Sequence, residues 1–138
     1  MPVCHKRKLA FCHIPRTGGV SVCNALKMVI VDRHLPASWF RKNYPDYKLF
    51  TITRPYDDRI KSAYGHGPKH GMTLDELVAE VKRKGVDNIS LMLKPEAYFL
   101  DATPDYVIRF GFLQSDLDDM LTTLGFEPVE LIQCNSFK

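Results

Sequence analysis

The apolar run from Lys8 to Ile14 stops at Pro15, and Pro15-Arg16-Thr17-Gly18-Gly19 then leads into a segment with helical spacing. The same punctuation recurs when Lys48 to Thr53, "KLFTIT", ends at Arg54-Pro55 and passes into "YDDRIKSAY". Alternation and β-branched or aromatic residues mark both runs as strands, and a strand, a basic residue and a helix in that order constrain the chain strongly. Successive units of this kind form a parallel sheet covered by helices, with ligands at the carboxyl ends of the strands. The expected fold is α/β: a P-loop-like three-layer sandwich with a mainly parallel central sheet, in a single domain over residues 1–138.

Further elements follow from the same signals. Gly19 to Val31 reads as a helix with Val22, Ala25, Leu26, Val29 and Ile30 on one face, and Pro36 to Tyr44 as a short helix. Tyr56 to Tyr64 continues as a helix behind Pro55, and Gly65, Gly67, Pro68 and Gly71 form a loop. Thr73 and Glu76 make a capping box for a helix ending at Lys84, and the stretch from Asp87 to Leu100 is helical in part. Tyr106 to Phe110 is a strand, Ser115 caps a helix to Leu124 with Gly125 after it, and Val129 to Ile132 is a last short strand.

Composition narrows the function classes. With 19 basic against 16 acidic residues the net charge is +3, too mild for coating nucleic acid and better matched to a small anionic ligand. The longest aliphatic stretch, Met28 to Val31, is far short of a membrane span, and the four cysteines have no framework spacing. No secretory signal is legible at the start, so no membrane partner and a reduced, cytoplasmic setting are expected. Cys4-His5 and Cys12-His13 are adjacent pairs whose side chains diverge on an extended chain, so no metal site is expected.

The first loop has the chemistry of an anion cradle. Gly18 and Gly19 permit close approach, the helix start presents free N–H groups and its positive dipole end, and Arg16, Thr17 and Ser21 add donors. It is not a Walker A loop, because Val20 stands where that motif places its lysine. Arg54 and Ser62, eight residues apart, are placed to grip a second anionic group, with Arg59 either reaching it or lying ion-paired to Asp57 or Asp58 on a solvated face. Trp39, Phe40, Tyr44 and Tyr47 read as core packing.

"HIPRTGGVS" and "RPYDDRIKSAY" together resemble the sulfotransferases that use 3'-phosphoadenosine 5'-phosphosulfate (PAPS), in their carbohydrate sulfotransferase-like branch. The resemblance implies that Arg16, Thr17, Gly18, Gly19, Val20 and Ser21 bind the 5'-phosphosulfate, and that Arg54 and Ser62 bind the 3'-phosphate. It implies a sulfuryl transfer from PAPS to an acceptor hydroxyl on a small molecule or carbohydrate, leaving adenosine 3',5'-bisphosphate, with no metal. Arg16 then has a catalytic role on the leaving phosphate, and His34, between the first helix and the second strand, is the candidate base. Arg16 replaces the family's usual lysine, Val20 lacks a common hydroxyl, Pro55 follows Arg54 directly, and Gln114 stands where an acid is frequent. The chain is short for the family, so acceptor-shaping segments are either absent or contributed by a second copy in a homo-oligomer. Two other classes compete: a non-catalytic module for adenosine bisphosphate or sulfated ligands, and a nucleotide kinase-like phosphotransferase, which requires magnesium and ATP.

Overall fold

A computed structural model describes residues 2–30, 34–66, 73–84 and 94–132. Among the described residues, five strands, β1 (Pro2–Cys4), β2 (Leu9–Cys12), β3 (Val29–Ile30), β4 (Lys48–Thr53) and β5 (Tyr106–Arg109), form one sheet in the order β3-β1-β2-β4-β5. The helices are α1 (Gly19–Ala25), α2 (Ala37–Asn43), α3 (Tyr56–His66), α4 (Leu74–Lys84), α5 (Glu96–Phe99) and α6 (Leu113–Thr123). The fold is therefore α/β, but the sheet is mixed. β2, β4 and β5 are parallel neighbours, whereas β1 runs antiparallel to both β2 and β3. The departure from a mainly parallel sheet arises because Pro2–Cys4, too short to carry a period-2 pattern, pairs with β2 across a tight turn at His5–Lys8.

Alternation along the strands divides the core. Leu9, Phe11, Phe50, Ile52 and Ile108 pack with Val22 and Cys23 of α1, Leu26 just after it, and Leu117, Met120 and Leu121 of α6. Ala10, Cys12 and Leu49 pack on the opposite side with Ala37 and Phe40 of α2 and Phe99 of α5, and Trp39, Tyr44 and Tyr47 border that cluster. Phe11 and Phe50 face each other across β2 and β4 with ring centroids 4.7 Å apart, and each contributes about 2–3 kcal/mol by leaving water. This parallel pair fixes the register of the two strands whose ends carry Arg16 and Arg54.

Several boundaries differ from the sequence expectation. α1 ends at Ala25, because Lys27 adopts φ 51° and the amides of Lys27 and Met28 turn back to the carbonyls of Asn24 and Cys23. The apolar residues beyond it, Val29–Ile30, form β3 instead of a further helical turn, and Val31 lies outside the described residues. α6 begins at Leu113 instead of after Ser115, whose hydroxyl donates back to Phe112 O at 3.3 Å. Val129–Ile132 is no strand. It is held by the Gln114 side chain, which donates to Val129 O and accepts from Leu131 N, both at 2.8 Å. Gly65 belongs to α3, while residues 67–72 of the expected loop and 87–93 of the expected helical stretch lie outside the described residues.

Candidate functional site

The parallel pairing of β2 with β4 aligns Cys12 with Thr51, so both chains leave the sheet at the same edge. Arg16 and Arg54 meet there. Arg54 Nη1 donates to Arg16 O at 3.0 Å, and Arg16 Nε donates to Ser62 Oγ on α3 at 2.8 Å. Three residues drawn from a loop, a strand end and a helix thus form one connected cluster.

The backbone of the β2–α1 connection is held along its carbonyl side. Cys12 O accepts from Thr51 Oγ1 at 2.8 Å, His13 O from His34 Nδ1 at 2.7 Å and Ile14 O from Thr17 Oγ1 at 2.7 Å. Pro15 O accepts from Arg59 Nε at 2.9 Å, and Arg16 O from Arg54 Nη1. Five successive carbonyls therefore have side-chain donors. The oxygens of residues 12–16 are thus tied into the fold ahead of the start of α1. Arg16 at φ 63° and Gly18 at φ 82° turn the chain between them. A left-handed Arg costs roughly 1–2 kcal/mol, and its two tethers hold it there. Gly19 has a different reason to be glycine: an added Cβ would lie 2.5 Å from His13 Cδ2 and 2.9 Å from Phe11 Cε2.

Positive charge is concentrated and incompletely satisfied. Arg59 is fully buried, which rules out the solvated, Asp-paired alternative, and its Nη1 and Nη2 have no hydrogen-bond partner. Arg54 Nε is likewise buried without a partner, and its guanidinium lies 4.0 Å over the Phe110 ring. Burial lowers the pKa of Arg16, Arg54 and Arg59, and the positive charge of Arg54 acts in the same direction on the other two. Asp58 opposes the shift at Arg54, as Glu96 does at Arg59. Guanidinium stays protonated, so mutual repulsion and three orphaned donor atoms remain at this edge of the sheet.

The other expected site residues fall into two groups. Gly18, Gly19, Val20 and Ser21 lie at the start of α1, with Val20 half exposed, but the Thr17 hydroxyl is committed to Ile14 O and its side chain is fully buried. His34 sits behind the loop. Because a carbonyl only accepts, its Nδ1 carries the proton and Nε2 keeps a lone pair. Burial lowers its pKa, the bond to His13 O raises it, and the Arg59 charge lowers it. Its ring lies 4.7 Å from that of His13, whose pKa burial and His34 bring down to about 3. Phe110 escapes sequence reasoning as a member of the cluster, and so does the burial of Arg59, which was one of the cations expected near the second anionic group. Phe110 was indicated only by position, since it follows Arg109, which pairs with Thr53 in the neighbouring parallel strand.

Among the described residues, no three His, Cys, Asp or Glu side chains gather as a metal set, and no helix is long and apolar enough to cross a membrane. No family model, curated protein or solved structure matches the chain.

Proposed function

We propose that the chain is a PAPS-dependent sulfotransferase with a P-loop-like three-layer arrangement, acting on an acceptor hydroxyl. The observation that carries this reading is the convergence of Arg16, Arg54 and Ser62 at adjacent strand ends, with Arg54 bonded to Arg16 O and Arg16 to Ser62 Oγ. In this reading the two motifs, separated in sequence, serve opposite ends of one doubly anionic nucleotide. The start of α1 faces the 5'-phosphosulfate, and Arg54 with Ser62 takes the 3'-phosphate after releasing their present bonds.

In this reading the acceptor oxygen attacks sulfur in line, a new S–O bond forms, and the bond from sulfur to the bridging oxygen breaks. The departing phosphate keeps the electron pair, and Arg16 and the helix start stabilise that charge. His34 Nε2 is the proton acceptor for the hydroxyl, because Nδ1 is held by His13 O in the tautomer this role requires. The lowered pKa of His34 keeps it in its neutral, accepting form at neutral pH.

Calorimetry with adenosine 3',5'-bisphosphate, and with ATP in the presence and absence of magnesium, tests the nucleotide. Transfer of labelled sulfate from PAPS to a panel of hydroxyl acceptors tests the reaction. Arg54→Met removes a charge-assisted contact worth about 1.5–3 kcal/mol and should weaken bisphosphate binding roughly 10- to 100-fold. Magnesium-dependent ATP binding in preference to the bisphosphate overturns the proposal, and bisphosphate binding without transfer to any acceptor leaves a binding module in its place.

A further inference from the structure

The side chains that hold the carbonyls of residues 12–16 are not equivalent. Thr51 and Thr17 are neutral hydroxyls, His34 keeps a second ring nitrogen in reserve, and Arg54 stands at the cluster already assigned to ligand. Arg59 is the remaining member, fully buried beneath the loop. It makes one bond to Pro15 O through Nε, and its Nη1 and Nη2 are buried without partners. As an element of stability this is a poor arrangement, since a buried cation with two unmet donors is commonly matched or exceeded in stability by an apolar side chain of similar size. Groups of this kind persist where the site needs their position or their charge.

We infer that Arg59 is a positioning residue for the anion loop, pinning the Pro15 carbonyl so that Arg16 and the start of α1 are held ready for the ligand. This inference rests on the reading of the β2–α1 connection as an anion site. Arg59 lies in the first turns of α3, the helix that also carries Ser62, the partner of Arg16. A single rigid helix thus grips two successive residues of the loop, Pro15 by its carbonyl and Arg16 by its side chain. The buried charge of Arg59 adds attraction for an anion that its own atoms do not touch, with Glu96 as the opposing carboxylate.

The test compares wild type, Arg59→Met, Arg59→Lys and Arg54→Met by calorimetry with adenosine 3',5'-bisphosphate and by urea denaturation without ligand. Arg59→Met should raise Kd tenfold or more while the denaturation midpoint stays unchanged or rises, and Arg59→Lys should recover part of the affinity by restoring charge. A purely structural residue would instead lose stability and affinity together, with no recovery by lysine. That pattern, or a folded Arg59→Met with Kd within twofold of wild type, overturns the inference. If Arg59→Met does not fold, Arg59→Lys decides: a weaker Kd at an unchanged midpoint supports the inference, and an unchanged Kd overturns it. Loss of binding in Arg54→Met with full binding in Arg59→Met refutes the role of Arg59 alone. A wild type that does not bind the bisphosphate refutes the site and this role with it.

Discussion

Gly19→Ala tests whether the loop is packed as tightly against the sheet as its geometry indicates. The new Cβ would fall 2.5 Å from His13 Cδ2 and 2.9 Å from Phe11 Cε2, against ordinary contact beginning near 3.4 Å. The His13 ring must therefore retreat by almost a full ångström. It has little room, being stacked 5.1 Å from Phe11 and lying 4.7 Å from the His34 ring. Overpacking of this kind costs about 1–3 kcal/mol. Alanine's helix preference returns less than about 1 kcal/mol, because Gly19 is only the first residue of α1. A net loss of about 1–2 kcal/mol follows, or a fall in Tm of roughly 3–8 °C for a domain of this size. Thermal and urea denaturation measure it, with Gly111→Ala as the control, since nothing lies within 4 Å of a Cβ there. A double-mutant cycle supplies the decisive number: once His13→Ala has removed the ring, only the Phe11 contact remains, so Gly19→Ala should cost less, giving a coupling above about 0.5 kcal/mol. If Gly19→Ala matches Gly111→Ala, or if its cost is the same with and without the His13 ring, the proposed packing of the loop is wrong.

The buried imidazole of His13 predicts acid sensitivity. Its folded pKa of about 3 lies below the free value of 6.5, so above that value neither state binds the proton, and as pH falls through 6.5 only the unfolded chain gains it. Stability should drop between pH 6.5 and 3, by up to about 2 kcal/mol at pH 5 given the ring's residual exposure, and urea midpoints for His13→Asn should show a flatter slope. The capping box of α4, where Glu76 N donates to Thr73 Oγ1 at 3.2 Å and Thr73 N to Glu76 Oε1 at 3.0 Å, predicts that Thr73→Ala loosens that helix by about 1 kcal/mol. Amide hydrogen exchange confined to the first turn of α4 is the readout, and unchanged protection there contradicts it. Burial pushes the Cys12 and Cys23 thiols up to about 12, so thiol reagents at pH 8 should label both only as fast as the protein unfolds. Peptide mapping that finds either one modified in the native state rules out that degree of burial.

The two helix stops that end in the same motif show why some boundaries are legible and others are not. After α6, Gly125 takes φ 85° and the amides of Gly125 and Phe126 bond to Thr122 O and Leu121 O. After α1, Lys27 takes φ 51° and the amides of Lys27 and Met28 bond to Asn24 O and Cys23 O in the same pattern. Glycine announces the first stop because only glycine adopts that backbone without cost, whereas lysine gives no such notice and the apolar residues beyond it read as more helix. Strands of two and three residues, β3 and β1, are silent for a related reason, since their stability lies in pairing and not in any local pattern.

Local chemistry in the sequence was sufficient to determine that strands stop ahead of Pro15-Arg16 and of Arg54-Pro55, that glycines open a helix after the first, and that a capped helix begins at Thr73. These depend on backbone preferences and on donors within a few residues of one another. Only the tertiary structure decided that β2 and β4 are neighbours, so that Arg54 reaches Arg16 O and Phe110 lies beneath Arg54. It also decided the state of Arg59, which has the pattern of a solvated helix face in sequence and is buried beneath Pro15 in the fold. Burial and convergence are properties of where distant segments meet, and no spacing within a single segment encodes them.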